Sequence, residues 1–310
     1  MMDAKQYRDA NMADPAIVIA ARGVQVPAPG RGEDLLLRIA APAAGEGLPV
    51  VLFSHGHGSS MDGYAPLADH WAAHGFVVIQ PTHLDSARLA LPPDDARRPS
   101  IWRQRVADVR RALDHLTSLE RALPGLEGRV DHASIAVAGH SFGGQTASML
   151  LGARMVAGGA DEDMRDERVR AGVLLASGGS GGADLSDFGR LYTPYLDTDF
   201  ATMTTPMLVV AGDSDRSPLT VRGPDWFVDP FCLSPGARAL LTLHGGQHML
   251  GGISGYGSAE TTDENPCRVA IIQKVTTAFL RHGLRGDDEA WRTLGNRICR
   301  SNAIATIERR

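Results

Sequence analysis

The densest chemical signal in the chain is Gly139-His140-Ser141-Phe142-Gly143-Gly144, preceded by the apolar run Ile135 to Ala138 and followed by the helix-compatible stretch Gln145 to Leu151. A Gly-x-Ser-x-Gly turn between a strand and a helix holds its serine in strained backbone with the hydroxyl exposed. Side chains at 139 and 143 would collide with the flanking strand and helix, which is why glycine stands there. A serine hydroxyl is a weak nucleophile near neutral pH. A base must take its proton, and a third group must orient the base.

The base and the acid are expected further along, in the order Ser, acid, His. The apolar run Met207 to Ala211 leads into Gly212-Asp213-Ser214-Asp215-Arg216-Ser217-Pro218, and Ala239 to Leu243 leads into His244-Gly245-Gly246-Gln247-His248. Both loops leave the carboxyl ends of strands, the edge where open α/β sheets place their sites. Asp215 is favoured over Asp213, because Asp213 sits where aspartate usually bonds the local turn. His248 is favoured over His244, because Gly245-Gly246 lets the loop turn back toward the serine.

An attacked carbonyl also needs donors for the negative oxygen it develops, and fixed backbone N–H groups serve best. That of Phe142, next to the serine, is one candidate. That of His57, in the glycine-rich loop Ser54-His55-Gly56-His57-Gly58-Ser59-Ser60, is the other. His55 and His57 resemble half of a metal site, but no carboxylate or cysteine at ligand spacing completes it, so no metal or other cofactor is expected. The same loop lacks the patterns that bind nucleotide phosphates. His55 is read as a structural residue bonded to loop backbone.

The elements that must position these groups follow from hydrophobic patterning. Runs at Pro49 to Phe53, Phe76 to Ile79, Ile135 to Ala138, Ala171 to Ala176, Met207 to Ala211 and Ala239 to Leu243 are apolar throughout. Such strands suit a parallel sheet covered on both faces. Helices are expected over Tyr64 to His74, Trp102 to Leu119, Phe142 to Val156 and Cys267 to Arg281. Ala16 to Val26 and Asp34 to Ala40 read as an antiparallel start. The fold class is α/β, one doubly wound and mostly parallel sheet of about eight strands spanning residues 1–310 as a single domain, with its core over about 16–282. Residues 287 to 310 form a tail, either a terminal helix or loose.

With 310 residues, 43% hydrophobic and 22% charged, the chain can bury a full core, and its formal charge of -5 argues against a nucleic-acid partner. No run approaches the ~20 apolar residues of a membrane span. The N-terminal MMDAKQYRDANMADPA has no basic start, apolar run or cleavage site, so a cytoplasmic location is expected. The 3 cysteines are too few for a disulfide framework; Cys232 and Cys267 fall in loop-like stretches where pairing is open, and Cys299 is left over.

These motifs resemble the α/β-hydrolase superfamily, in the branch that holds dienelactone-hydrolase-type esterases, platelet-activating-factor acetylhydrolases, chlorophyllases and bacterial polyester hydrolases. Phe53-Ser54-His55-Gly56-His57-Gly58, the stretch Leu67 to Val78, and Gly139 to Gly144 are similar to the acetylhydrolases. His244 to His248 is closer to the polyester hydrolases. Two features depart. The run that ends Leu174-Leu175-Ala176-Ser177-Gly178-Gly179 carries no acid where the acetylhydrolases have theirs, which supports Asp215. A serine stands where dienelactone hydrolases have cysteine.

The expectation is a serine hydrolase acting on small-molecule carboxylic esters of small to medium apolar acyl groups, through Ser141, His248 and Asp215. Amidase, acyltransferase or perhydrolase chemistry on the same residues is the alternative, and a noncatalytic binding protein is a second. Loops 84–100, 178–205, 216–238 and 249–266 should shape the substrate pocket, with Trp226, Phe227 and Phe231 as candidate walls. Because the base must be neutral, activity is expected to climb with pH through the ordinary histidine range, about pH 6 to 7. A rate profile flat from about pH 5 to 9 would contradict it.

Overall fold

The computed structural model describes residues 14–159, 161–255, 258–298 and 303–310. The N-terminal segment 1–13 and Cys299 lie outside them. In chain order the strands are β1 (Val18–Val26), β2 (Leu35–Pro42), β3 (Leu48–Ser54), β4 (Val77–Pro81), β5 (Val130–His140), β6 (Arg154–Met155), β7 (Glu162–Asp163), β8 (Val169–Leu175), β9 (Thr198–Asp199), β10 (Met207–Gly212), β11 (Ala237–Leu243) and β12 (Ala305–Arg309). The helices are α1 (Ala65–Ala73), α2 (Ile101–Asp114), α3 (Leu116–Ala122), α4 (Phe142–Leu151), α5 (Asp187–Tyr192), α6 (Asp229–Leu233), α7 (Pro266–Arg285) and α8 (Asp288–Ile298).

Nine strands form the main sheet in the order β1-β2-β4-β3-β5-β8-β10-β11-β12, while β7-β6-β9 make a small separate ladder. The six inner strands from β4 to β11 run parallel, and β1, β2 and β12 complete the edges antiparallel. β3 and β10 are buried along their whole length, as strands covered on both faces must be. α4 packs on β5, β8 and α2, whereas α7 packs on β5, β8, β10 and α1. The buried indole of Trp71 on α1 donates to Thr276 Oγ1 on α7 at 3.0 Å, which pins those two helices together.

α7 begins where its chemistry dictates. The Asn265 side chain accepts from the N–H groups of Cys267 and Arg268, Pro266 follows it, and Gly286 ends the helix at φ 67. The single helix expected over Trp102 to Leu119 is instead α2 and α3, broken at His115, whose ring bonds the Arg111 carbonyl at 2.9 Å. The helix expected to reach Val156 stops at Leu151, because Gly152 turns left-handed at φ 111.

Among the described residues the tail holds a helix and an edge strand. α8 is followed by β12, whose Ala305 and Ile307 face inward against β11. The Trp291 ring meets Phe279 at 5.3 Å and lies beneath the Arg309 guanidinium at 4.2 Å. β12 therefore closes the edge that β11 would otherwise leave open. Removing residues 303–310 should lower the thermal midpoint by several degrees and increase aggregation on heating, measured by calorimetry and light scattering. An unchanged midpoint would mean that β12 contributes nothing to the edge.

Candidate active site

The turn at the carboxyl end of β5 is built by close backbone approach. A Cβ on Gly139 would stand 2.1 Å from the Gly143 carbonyl oxygen, and one on Gly143 would stand 1.9 Å from that of Ser54 at the end of β3. Neither position admits a side chain, so α4 seats directly on β3 and β5. Between them Ser141 adopts φ 55 and ψ -120, a conformation L-residues rarely accept, and its N–H is held by the Leu175 carbonyl of β8 at 2.9 Å.

The sheet brings the neighbouring loops to this turn. His248 Nε2 lies 2.9 Å from Ser141 Oγ, and His248 Nδ1 lies 3.0 and 3.2 Å from the oxygens of Asp215, which is 0% exposed. A carboxylate can only accept, so Nδ1 carries the proton and Nε2 is free to accept from the serine hydroxyl. Asp213 and His244 are elsewhere. They pair with each other at 3.1 Å on the exposed side, and Asp213 also accepts from the Gly245 N–H at 2.7 Å. That aspartate stitches the β10 loop to the β11 loop.

Several supports of this arrangement carry no motif in the sequence. The N–H groups of Gln247 and Gly251, on either side of His248, both donate to Asp263 Oδ2 at 2.8 and 3.1 Å. Arg268, in the first turn of α7, holds the same carboxylate and the His244 carbonyl. His140 Nε2 donates to the His248 carbonyl at 2.7 Å, while its Nδ1 accepts from the Tyr64 hydroxyl at 2.8 Å, and that hydroxyl accepts from the Gly56 N–H at 3.1 Å. The pattern fixes His140 as the neutral Nε2–H tautomer. Burial pushes its pKa down to about 3.

The N–H groups of His57 and Phe142 have no acceptor among the described residues. Their rings are 6.4 Å apart, so the two residues stand side by side at the mouth of the turn. Beneath them is a dense polar core. His55 Nδ1 donates to the Gly56 carbonyl at 2.7 Å and its Nε2 accepts from the His83 N–H at 3.0 Å. His83 in turn reaches Ser54 Oγ at 2.9 Å and Asp108 Oδ2 at 3.0 Å, and Asp108 accepts from Arg31 at 2.8 Å. Burial outweighs the arginine and holds the Asp108 carboxyl up at about 6.

Of the aromatic residues expected to wall a pocket, Phe227 reaches the site, with its ring 5.7 Å from that of His248. Trp226 packs on Gly178 and donates to the Ser180 carbonyl, and Phe231 lies under the Arg310 guanidinium. Both rings are buried, packed on segments outside their own insertion. A different apolar group, Leu84, Leu89 and Leu91 of loop 84–100 with Ile101 at the start of α2, packs against Phe142. Tyr195 approaches the other side of Phe142 at 6.4 Å and stacks on Trp102. Cys232 and Cys267 are free and exposed. Among the described residues no group of three or more His, Cys, Asp or Glu is arranged to hold a metal ion, and no helix is long and apolar enough to cross a membrane.

Comparison with known proteins is consistent with this geometry. Residues 17–156, from β1 past the serine turn, match the Chlorophyllase family model. The platelet-activating factor acetylhydrolase of Canis lupus familiaris is 24% identical over 299 residues, which cover 81% of this chain and 61% of that protein. Chlorophyllase-1, chloroplastic, of Citrus sinensis is 36% identical over 115 residues, or 37% of this chain and 32% of that protein. The chain thus spans at most 61% of the length of these relatives. With the nine-stranded sheet, these similarities bear out the resemblance to the esterase branch of the α/β-hydrolases.

The buried histidines have a consequence for stability. His55 and His83 are held well below their ordinary value of 6.5, and His70 and His140 down to about 3, in each case chiefly by burial. Unfolding releases these imidazoles to bind protons below pH 6.5, so the stability present above that pH is lost as pH falls toward their folded values. Each fully buried imidazole contributes about 1.4 kcal/mol of loss per pH unit in that window. Asp108 acts oppositely between 3.8 and about 6, one group against four. Urea midpoints should fall steeply between about pH 6.5 and 4.5; a midpoint constant over that range would contradict the burial of neutral histidines.

Proposed function

We propose that the chain hydrolyses carboxylic esters through an acyl-enzyme formed on Ser141. The observation that carries this reading is the unbroken line from Asp215 through His248 to the Ser141 hydroxyl, with contacts of 3.0 and 2.9 Å, ending beside amides that have no acceptor among the described residues. Ser141 Oγ attacks the ester carbonyl as His248 takes its proton. The oxygen that becomes negative is received by the N–H groups of His57 and Phe142. His248 then gives the proton to the departing alcohol, and water repeats the cycle on the acyl group. Asp215 holds the imidazole in the tautomer that can accept.

The names of the relatives, an acetylhydrolase and a chlorophyllase, agree with ester cleavage, and nothing in this cycle calls for a cofactor. The apolar surroundings of Phe142 and the ring of Phe227 suit a small to medium acyl or alcohol group more than a charged one.

A fluorophosphonate probe should label the wild-type chain and fail to label Ser141→Ala. In a panel of p-nitrophenyl esters from acetate to palmitate, turnover should persist to a chain-length limit and then fall. Asp215→Asn should lower kcat by on the order of 10³-fold or more, whereas Asp213→Asn should stay within about threefold. A greater loss at Asp213 would reassign the acid, and labelling that survives Ser141→Ala would remove the nucleophile. Added alcohols that capture the acyl group faster than water would favour acyl transfer over hydrolysis.

A further inference from the structure

We infer that Arg105 is a positioning residue for the oxyanion-binding amides: with Asp85 it grips the backbone on both sides of His57 and, through the same guanidinium, the first turn of the helix that begins at Phe142. The inference rests on the reading of Ser141 as nucleophile and deepens it.

Arg105 belongs to α2, and Asp85 to the loop after β4. Neither residue stands in the motifs that mark the site. Their side chains are 0% and 2% exposed and meet through Arg105 Nη1, 2.6 and 2.7 Å from the two carboxylate oxygens. Burial alone would raise the Asp85 carboxyl, but the charge of Arg105 holds it well below the usual carboxylate range. The pair is therefore ionised in the interior.

What the pair touches defines its role. Arg105 Nη2 donates to the carbonyl of His55, the residue before Gly56-His57, and Asp85 Oδ2 accepts from the N–H of Gly58, the residue after it, at 3.3 Å. The loop between these two points contains Gly56 and Gly58, the latter at φ 76, and left to itself would sample many conformations. On the other side, Arg105 Nε donates to Thr146 Oγ1 at 3.1 Å, and that hydroxyl donates to the Phe142 carbonyl at 3.0 Å. The guanidinium also covers the Phe142 ring, with Cζ 4.4 Å from its centroid. One planar group thus sets the spacing of two amides that come from different elements.

A buried ion pair is a poor device for stability, since desolvation consumes most of the attraction and an apolar pair would serve as well. Its value here is geometric. Two amides aimed at one oxygen lower a barrier only while both stay within hydrogen-bond distance of it, and a loosened donor is worth far less. Lysine cannot replace this arrangement, because a point charge has no rigid fork and no flat face.

The test measures kcat and KM for p-nitrophenyl butyrate, and the inhibition constant of a trifluoromethyl ketone that forms a tetrahedral adduct. Both are normalised to sites counted at the endpoint of fluorophosphonate labelling. Arg105→Lys and Asp85→Asn should lower kcat about 10- to 100-fold, with KM within about twofold, and the ketone should weaken by the same factor as kcat/KM. Wild-type kcat in folded protein, or a loss carried by KM with the ketone constant unmoved, overturns the assignment. If neither charged variant folds, Thr146→Val decides by the same readouts, since it changes neither charge nor much volume. It should lower kcat about threefold, and an unchanged kcat overturns the assignment. Failure of the underlying reading is told apart without any variant of Arg105: wild-type protein would then neither turn over the ester nor take the label, and the inference would fall with it.

Discussion

A serine hydroxyl becomes a useful nucleophile only where an imidazole can take its proton, and here that depends on a 2.9 Å contact between residues 107 positions apart in the chain. No local element can make such a contact. It exists because β5, β10 and β11 run parallel in one sheet and release their loops at the same edge. The apolar runs that fill β8 and β10 are thus as necessary to the proposed chemistry as the polar residues at their ends. Without the burial that fixes their register, Ser141, Asp215 and His248 would not converge.

Around that contact the protein accepts an expensive interior. Arg31, Arg105, Asp108, His55 and His83 are buried under a loop of only a few residues. The polar atoms among them that bond one another or loop backbone are satisfied pairwise, with neutral histidine tautomers fixed by partners that can only donate or only accept. Ser54, His83 and Asp108 even repeat the order of hydroxyl, imidazole and carboxylate found at the surface, but Ser54 is buried, with Arg105 3.3 Å from its hydroxyl oxygen. The same three side-chain types therefore serve as scaffold in one place and, on the present proposal, as chemistry in the other. Access to solvent is what separates them.

Much of this was legible in the sequence, and the remainder was hidden for definable reasons. The serine turn announces itself because its glycines are demanded by contacts under 3 Å, and the parallel strands because burial on two faces leaves no room for polar residues. β12 carries only a weak signal because an edge strand needs only one apolar face, which Ala305 and Ile307 supply between Thr306, Glu308 and Arg309. Asp263, Arg268 and Tyr64 carry no sequence signal because they act through hydrogen bonds to loop backbone, which impose no residue pattern or spacing. Arg105 and Asp85 lie 20 residues apart and meet only after β4 and α2 have folded onto the sheet. Trp226 and Phe231 show the reverse case: aromatic residues in a long insertion fasten it to the rest of the chain, here at Ser180 and Arg310.

On this proposal Ser141 presents its oxygen to a carbonyl whose own oxygen faces the amides of His57 and Phe142. The most direct measurement is a crystal structure of the chain after reaction with a p-nitrophenyl alkylphosphonate. Phosphorus should be bonded to Ser141 Oγ, with one phosphoryl oxygen about 2.7–3.1 Å from both amide nitrogens. An adduct on another residue, or on Ser141 with that oxygen turned away from both amides, would contradict it.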